Sequence, residues 1–236
     1  MSIKVVLFDL DGTLLPMNQE DFVKAYFGLL AKKLSSHGYE PEKLIKSIWL
    51  GTASMIKNDG TKSNEAAFWE TFSGIYGEQS LNDMPLFDEF YEQDFDKVSA
   101  SCGYNENSGK LIKEIKNSGL RVALATNPIF PSVATESRMR WAGLDQSDFE
   151  LYTTYENSRF CKPNLEYYKD IISKLGVDAS ECLMVGNDVK EDMVARKLGM
   201  KVFLLTDCLI NKDDEDISEY PNGGFEQLFS FVRLVI

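Results

Sequence analysis

From Leu120 onward, short apolar runs alternate with segments of helical periodicity, and that alternation narrows the fold more than any other feature of the chain. Leu120 to Ala125, Phe149 to Thr153, Cys182 to Val185 and Val202 to Leu205 read as strands, with Ile3 to Phe8 as a further one near the start. Strands separated by helices run parallel, and near-continuous apolar strands fit a sheet buried on both faces. Four helix ends repeat one device, a Gly followed by an apolar residue: Gly119-Leu120, Gly143-Leu144, Gly176-Val177 and Gly199-Met200. Gly accepts the left-handed backbone just past a helix, and the apolar neighbour packs back onto the last turn.

Between Glu20 and Cys102 the pattern is helical throughout. Phe22, Ala25, Tyr26, Leu29, Leu30 and Leu34 recur at helical spacing, as do Leu44, Ile45, Ile48, Trp49, Thr52 and Ile56. A third stretch holds Phe68, Phe72, Ile75 and Tyr76, and a fourth runs from Phe87 to Val98. Turn formers break the series at Ser36 to Pro41, Asn58 to Ser63 and Gly77 to Pro85. The expected class is therefore α/β, a Rossmann-like parallel sheet flanked by helices, with residues 1–15 and 101–236 as the core domain. Residues 16–100 form an inserted all-helical cap domain.

Composition excludes several functions. The 236 residues carry 25 Lys and Arg against 37 Asp and Glu, a net charge of −12. That excess argues against a nucleic-acid partner and against adhesion to anionic lipid, both of which draw on clustered cations. The single His, His37, removes multi-His zinc sites and makes a Ser-His-Asp triad a poor reading. Cys102, Cys161, Cys182 and Cys208 are far apart with no C-x-x-C pair, which fits a reduced, cytoplasmic chain. Ile3 to Phe8 is followed at once by Asp9 and Asp11, so it reads as a buried strand and not a signal peptide. No stretch approaches ~20 apolar residues, so no membrane span is expected.

The chemistry gathers at strand ends. The first strand runs into Phe8-Asp9-Leu10-Asp11-Gly12-Thr13, which brings two carboxylates to the carboxyl edge of a central strand, where open α/β sheets bind ligands. Two carboxylates held together are unfavourable unless a cation or a shared proton relieves them. The second ends in Ala125-Thr126-Asn127-Pro128, where a hydroxyl, an amide and free N–H groups suit an oxyanion. Lys162, in Cys161-Lys162-Pro163-Asn164, stands at a helix start, where a positive charge gains nothing from the helix dipole and is better explained by an anion it meets. The fourth ends in Val185-Gly186-Asn187-Asp188, with Asp192 four residues on; on a helix the two carboxylates would share a face. Asp9, Asp11, Asp188 and Asp192 would bring four negative charges to one edge, of which Lys162 and a divalent cation would balance three.

In this order the motifs resemble those of the haloacid dehalogenase-like superfamily: D-x-D-x-T, a strand-terminal Thr or Ser, a Lys, and an acidic motif ending a later strand. The resemblance covers the α/β part, and the helical insertion looks like that superfamily's C1 cap. It implies a Mg²⁺-dependent phosphatase acting on a small phosphorylated metabolite. Asp9 would be the nucleophile that forms an aspartyl-phosphate, and Asp11 the general acid and then base. The Asp9 carboxylate, the Asp11 carbonyl and the Asp188 carboxylate would hold one Mg²⁺, with Asp192 behind them ordering Lys162 or a metal-bound water. Thr126 and Lys162 would bind the phosphoryl oxygens, helped by Asn127 and the backbone of Leu10 and Asp11.

Within the superfamily, the acid at position 11 favours phosphoryl transfer over dehalogenation. A phosphomutase uses the same aspartates, and a phosphonatase would need an insertion lysine, of which Lys24, Lys32, Lys33, Lys43, Lys46, Lys57 and Lys62 are the candidates. A non-catalytic scaffold that binds a partner through its cap is a reading from another class. His37 reads as a solvated turn residue, and Trp49, Trp69 and the insertion's phenylalanines as core. Cys161, beside Lys162, is a candidate for a favoured thiolate. The assembly expected is a monomer or a small homo-oligomer.

Overall fold

The computed structural model describes residues 2–235. In chain order the elements are β1 (Val5–Phe8), α1 (Gln19–Ser35), α2 (Pro41–Ile56), α3 (Asn64–Tyr76), α4 (Met84–Gln93), α5 (Glu106–Asn117), β2 (Arg121–Leu124), α6 (Ser132–Trp141), β3 (Leu151–Tyr152), α7 (Leu165–Leu175), β4 (Cys182–Gly186), β5 (Lys201–Leu205), β6 (Asn222–Gly223) and α8 (Phe225–Val235). The six strands form one parallel sheet in the order β3-β2-β1-β4-β5-β6. Successive residues of β1 face opposite sides. Val6 and Phe8 pack with Leu111, Ile112 and Ile115 of α5 and Leu228 of α8. Val5 and Leu7 pack with Tyr167, Tyr168 and Ile171 of α7. Burial on both faces is what the unbroken apolar strands require.

All four glycines expected to stop helices adopt positive φ, with Gly176 in the left-handed region at φ 63° after α7. The two-residue strand β6 has no counterpart in the sequence reading, because Asn222 and Gly223 carry neither apolar character nor β-propensity. It is held by the backbone: Leu204 N–H donates to Pro221 O at 2.9 Å and Thr206 N–H to Gly223 O at 3.0 Å.

Residues 19–101 contain helix and no strand. The starts of the first three helices are set by side chains that accept otherwise unpaired N–H groups: Asn18 before α1, Glu40 before α2 and Ser63 before α3. The fourth stretch differs from expectation. Helix α4 ends at Gln93, and Phe95–Ser101 continues as a 3₁₀ helix. Phe22, Leu30, Leu34, Phe72, Phe90 and Phe95 form an apolar cluster among these helices that continues onto Ala134, Tyr155 and Cys161 of the α/β part. The two chain crossings between insertion and sheet are tied to each other by a bridge between Met17 and Cys102, and Gly103 N–H donates to Pro16 O at 2.7 Å.

A third tie comes from the start of α3. Backbone N–H groups of Asn64 and Glu65 donate to Ser158 O and Tyr155 O, each at 2.9 Å. The fully buried Asn64 amide adds a bond to Pro128 O at 3.1 Å. The helical insertion is thereby seated against the loops that follow β2 and β3. No helix among the described residues is long and apolar enough to cross a membrane.

Candidate active site

The chain reverses its direction of winding between β3 and β4, so strands are added to one side of β1 and then to the other. Ligands of open α/β sheets bind beyond the carboxyl ends of strands at such a switch point. Register decides what stands there. Phe8 pairs with Leu124 on one side and Val185 on the other, so Asp9, Thr126 and Asn187 emerge next to one another.

Asp9 is 7% exposed and both its oxygens are engaged. Oδ1 accepts from Lys162 Nζ at 2.8 Å, and Oδ2 lies 3.0 Å from Thr13 Oγ1. The Thr13 hydroxyl stands at the same distance from Asn187 Oδ1, with one proton to give to either. Gly12, at φ 86°, lets the loop turn sharply over this group, and a Cβ there would collide with Asn187 Nδ2.

Lys162 has meaning as the centre of a buried cluster. Its ammonium is 2.8 Å from Asp9 and 2.6 Å from Asp192 Oδ1, with the Lys162 and Asp192 side chains each 1% exposed. Burial opposes its charge, but Asp192 and Asp9 overcome that and hold it protonated well above the usual lysine range. Asp192 is pushed up to about 7 by burial, with Lys162 pulling the other way. The anion that the sequence demanded for Lys162 is thus, in this state, the protein's own pair of carboxylates. Lys162 stands behind Asp9 and Asp192 and is not on the wall of the cavity that Asp9, Asp11, Thr126, Asn127 and Asp188 line.

The shared helix face expected for Asp188 and Asp192 does not form. Residues 188–192 make a turn, and a 3₁₀ helix follows from Met193 to Leu198. Asp188 Oδ1 accepts the N–H groups of Lys190 at 2.8 Å and Glu191 at 2.9 Å, while Asp192 Oδ2 accepts Asp188 N–H at 2.9 Å. One carboxylate therefore closes the turn beside the cavity, and the other reaches back under it to Lys162. Gly186 makes room for that reach, since a Cβ there would collide with the Asp192 carboxylate.

Asp11 has a partner that sequence reasoning missed. Arg138 of α6, 1% exposed, pairs through Nη1 with Asp11 Oδ2 and lies over the Phe130 ring at 4.5 Å. The Asp11 Oδ1 atom is buried without a hydrogen-bond partner. Burial raises the Asp11 pKa and Arg138 opposes it, with Asp9 adding to the rise; the net direction is upward, toward a protonated acid. A signal for Arg138 was present. It shares the buried face of α6 with Ala134, Thr135 and Met139, a position where an unpaired charge is not tolerated.

Thr126 is buried on the cavity wall, its carbonyl taking the hydroxyls of Thr153 at 2.7 Å and Tyr167 at 2.8 Å. The Leu10 side chain lies in the core, and its carbonyl accepts Thr13 N–H at 3.1 Å and Leu15 N–H at 2.9 Å. Asn127 gives its amide to Glu191 Oε2 at 3.0 Å, and its Oδ1 is buried without a partner. Cys161 departs from expectation: it is 1% exposed, and burial pushes its thiol up to about 12, so no thiolate forms beside Lys162. His37 is exposed, as expected.

Glu191 is a further residue that the sequence left unmarked. Burial raises its carboxyl to about 7, Lys162 opposing and Asp188 and Asp9 adding, from an ordinary value of 4.5. A folded-state value above the unfolded one favours the fold below pH 4.5, and that contribution is lost as pH rises through about 7. Without metal, Glu191→Gln is expected to exceed the wild type in stability at pH 8 by up to about 3 kcal/mol, and the gap to shrink by pH 5. Thermal unfolding at both pH values reads it; a gap independent of pH would remove Glu191 as the titrating group.

The donors that could hold a metal are all oxygens. Asp9 and Asp188 carboxylates border the cavity together with Asp11, and no three His, Cys, Asp or Glu side chains converge as a cage among the described residues. Two carboxylates and a carbonyl fit Mg²⁺, which keeps several waters and is held by one or two carboxylates plus a phosphate oxygen.

A sequence model described as haloacid dehalogenase-like hydrolase matches residues 3–199. Over 199 residues the chain is 24% identical to a pyrophosphatase of Bacillus velezensis, covering 84% of this chain and 81% of that one. Over 216 residues it is 25% identical to an N-acetylmuramic acid 6-phosphate phosphatase of Pseudomonas aeruginosa, covering 91% and 86%. The fold is similar to that of a 2-haloacid dehalogenase from Pseudomonas syringae pv. Tomato, with TM-score 0.64, 19% identity and coverage of 98% and 99%.

Proposed function

The chain belongs to the haloacid dehalogenase-like hydrolases, and from that membership and the site geometry we propose that it is a Mg²⁺-dependent phosphatase working through an aspartyl-phosphate on Asp9. The observation that carries the reading is the pair Asp9 and Asp11. One carboxylate is paired with the Lys162 ammonium at 2.8 Å, and the other, two residues away, is biased toward its protonated form. A dehalogenase has no use for the second group. The sequence relatives named as phosphatases support the same choice, whereas likeness to a dehalogenase structure at 19% identity speaks for the fold alone.

In this reading residues 1–15 and 101–236 are the catalytic core, and residues 16–100 are a cap over it. The Asp9 carboxylate attacks phosphorus, and the bond to the ester oxygen breaks. Asp11 gives that oxygen its proton; Oδ1 is the atom that carries it, because Oδ2 is taken by Arg138. Water then attacks the phosphorus of the aspartyl-phosphate, Asp11 takes its proton, and phosphate leaves with Asp9 regenerated. Thr126 and the backbone N–H groups after Asp9 receive the phosphoryl oxygens, and Lys162 neutralises Asp9 from behind while Asp192 orients it. Asp9, the Asp11 carbonyl and Asp188 would hold Mg²⁺, which supplies charge neutralisation to the incoming phosphate.

None of the seven insertion lysines from Lys24 to Lys62 lines the cavity, which leaves the phosphonatase reading without an insertion amine for its Schiff base. The test is release of inorganic phosphate from 4-nitrophenyl phosphate with Mg²⁺ and after exhaustive chelation. Turnover is expected with the metal and its loss without it. Undiminished turnover in chelator, or chloride release from 2-chloropropionate with no phosphatase activity, would sink the proposal.

A further inference from the structure

The cavity that begins at Asp9 and Asp11 does not stop at the sheet edge. It extends into the helical insertion as one space of about 380 Å³, within the size range of small-molecule sites. Its far wall is aromatic: Phe22, Phe27, Trp49, Phe68, Trp69 and Phe87 all border it. Five of these are buried, and Trp49, half-exposed, packs on Phe27 with ring centroids 5.4 Å apart.

Charge is as informative as apolarity. Of the insertion residues on the wall, Asp88 is the one with a charge, and no Lys or Arg of the insertion reaches it. Two of those cations pair with acids elsewhere, Lys33 with Glu89 at 2.7 Å and Lys62 with Glu70 at 2.5 Å. The phenols of Tyr26 and Tyr91, which also border the cavity, are 2.8 Å apart and satisfy each other. The cation that does border the cavity, Lys212, is exposed and belongs to the α/β part, so along the insertion's wall a second anionic group would meet Asp88 and no counter-charge.

Resting on the reading of Asp9 as phosphoryl acceptor, we propose that the substrate class is the phosphomonoester of a large, uncharged, apolar alcohol, with its hydrocarbon part held by the aromatic wall of the insertion. The apolar part contributes in proportion to the area it removes from water, and aromatic faces add contacts of defined geometry.

The experiment compares 2-phenylethyl phosphate with ethyl phosphate, whose leaving groups are both primary alkoxides, and adds pyrophosphate and 2-phosphoglycolate as doubly anionic probes. Alongside, dissociation constants are measured for 2-phenylethylphosphonate and ethylphosphonate with Mg²⁺ present. A preference of about 100-fold in kcat/KM for the phenylethyl ester over ethyl phosphate is expected, with a matching preference between the phosphonates and the phenylethyl ester preferred to the diacids as well. Trp49→Ala, at a half-exposed position that a fold tolerates losing, is expected to narrow that preference about tenfold. Equal turnover of the two esters, or a preference for a diacid, overturns the apolar-substrate proposal and leaves the phosphatase reading standing. Phosphonate discrimination with no ester hydrolysed supports the apolar pocket and overturns the phosphatase reading instead. No discrimination between the phosphonates overturns the pocket whatever the turnover.

Discussion

Replacing Asp9 by Asn is expected to lower phosphate release by roughly 10⁴-fold or more while the protein stays folded. Asn has the shape of Asp and can keep its oxygen on Lys162 while its NH2 donates to Thr13 Oγ1, whose own proton goes to Asn187 Oδ1, but the amide cannot attack phosphorus. The electrostatic consequence runs the other way from the catalytic one. Lys162 now serves two carboxylates, Asp9 and Asp192, so the buried cluster carries an excess negative charge. Removing the Asp9 charge leaves Lys162 and Asp192 balanced, and the melting temperature should hold or rise. Activity lost with stability retained identifies a nucleophile, because a structural role would move both together. Incubation with a phosphorus-labelled ester should give a labelled, hydroxylamine-sensitive wild-type protein and none in the variant. Activity within tenfold of wild type would remove Asp9 from the chemistry.

The sheet edge was legible in the sequence because strand order and register follow from local patterns. Apolar runs and Gly stops locate the strands, and parallel pairing then places whatever follows Phe8, Leu124 and Val185 at one edge. Residues defined by a long-range partner were not legible. Arg138 announces itself as a charge on a buried helix face, yet nothing local says that Asp11, far away in sequence, is its counter-charge. Asn64 drew no notice in the sequence, and its burial against Pro128 and the 155–158 backbone appears once the insertion is seated on the core. The same holds for the aromatic residues. Periodicity marks Phe68 and Trp69 as inward-facing, which is correct, but it cannot distinguish a packed interior from the wall of a cavity. Cys161 failed as a thiolate because burial outweighs the hydrogen bond from Asn64, and burial is a property of the fold.

Lys162→Met should be among the most destabilising single changes available in this chain. It removes the one cation from a site where Asp9 and Asp192 are both nearly sealed from water, and stripping one partner from a buried ion pair costs about 3–5 kcal/mol. For a domain of this size that corresponds to a fall in melting temperature of roughly 10 °C. The sign of its pH dependence follows from the groups left behind. Asp192 is already raised by burial to about 7 with Lys162 holding it down, and losing that restraint raises it further. A raised carboxyl favours the fold at low pH and loses that contribution as pH climbs through its folded value, so the defect should be large at pH 8 and smaller at pH 5.5. Adding Asp192→Asn should recover part of the loss, since the amide keeps an acceptor for the Asp188 N–H, now 2.9 Å from Oδ2, and removes one of the two stranded charges. Thermal unfolding of the single and double variants at both pH values separates the causes. A loss of equal size at pH 5.5 and pH 8, unrelieved by Asp192→Asn, would mean that Lys162 stabilises through the packing of its stem and not through its charge.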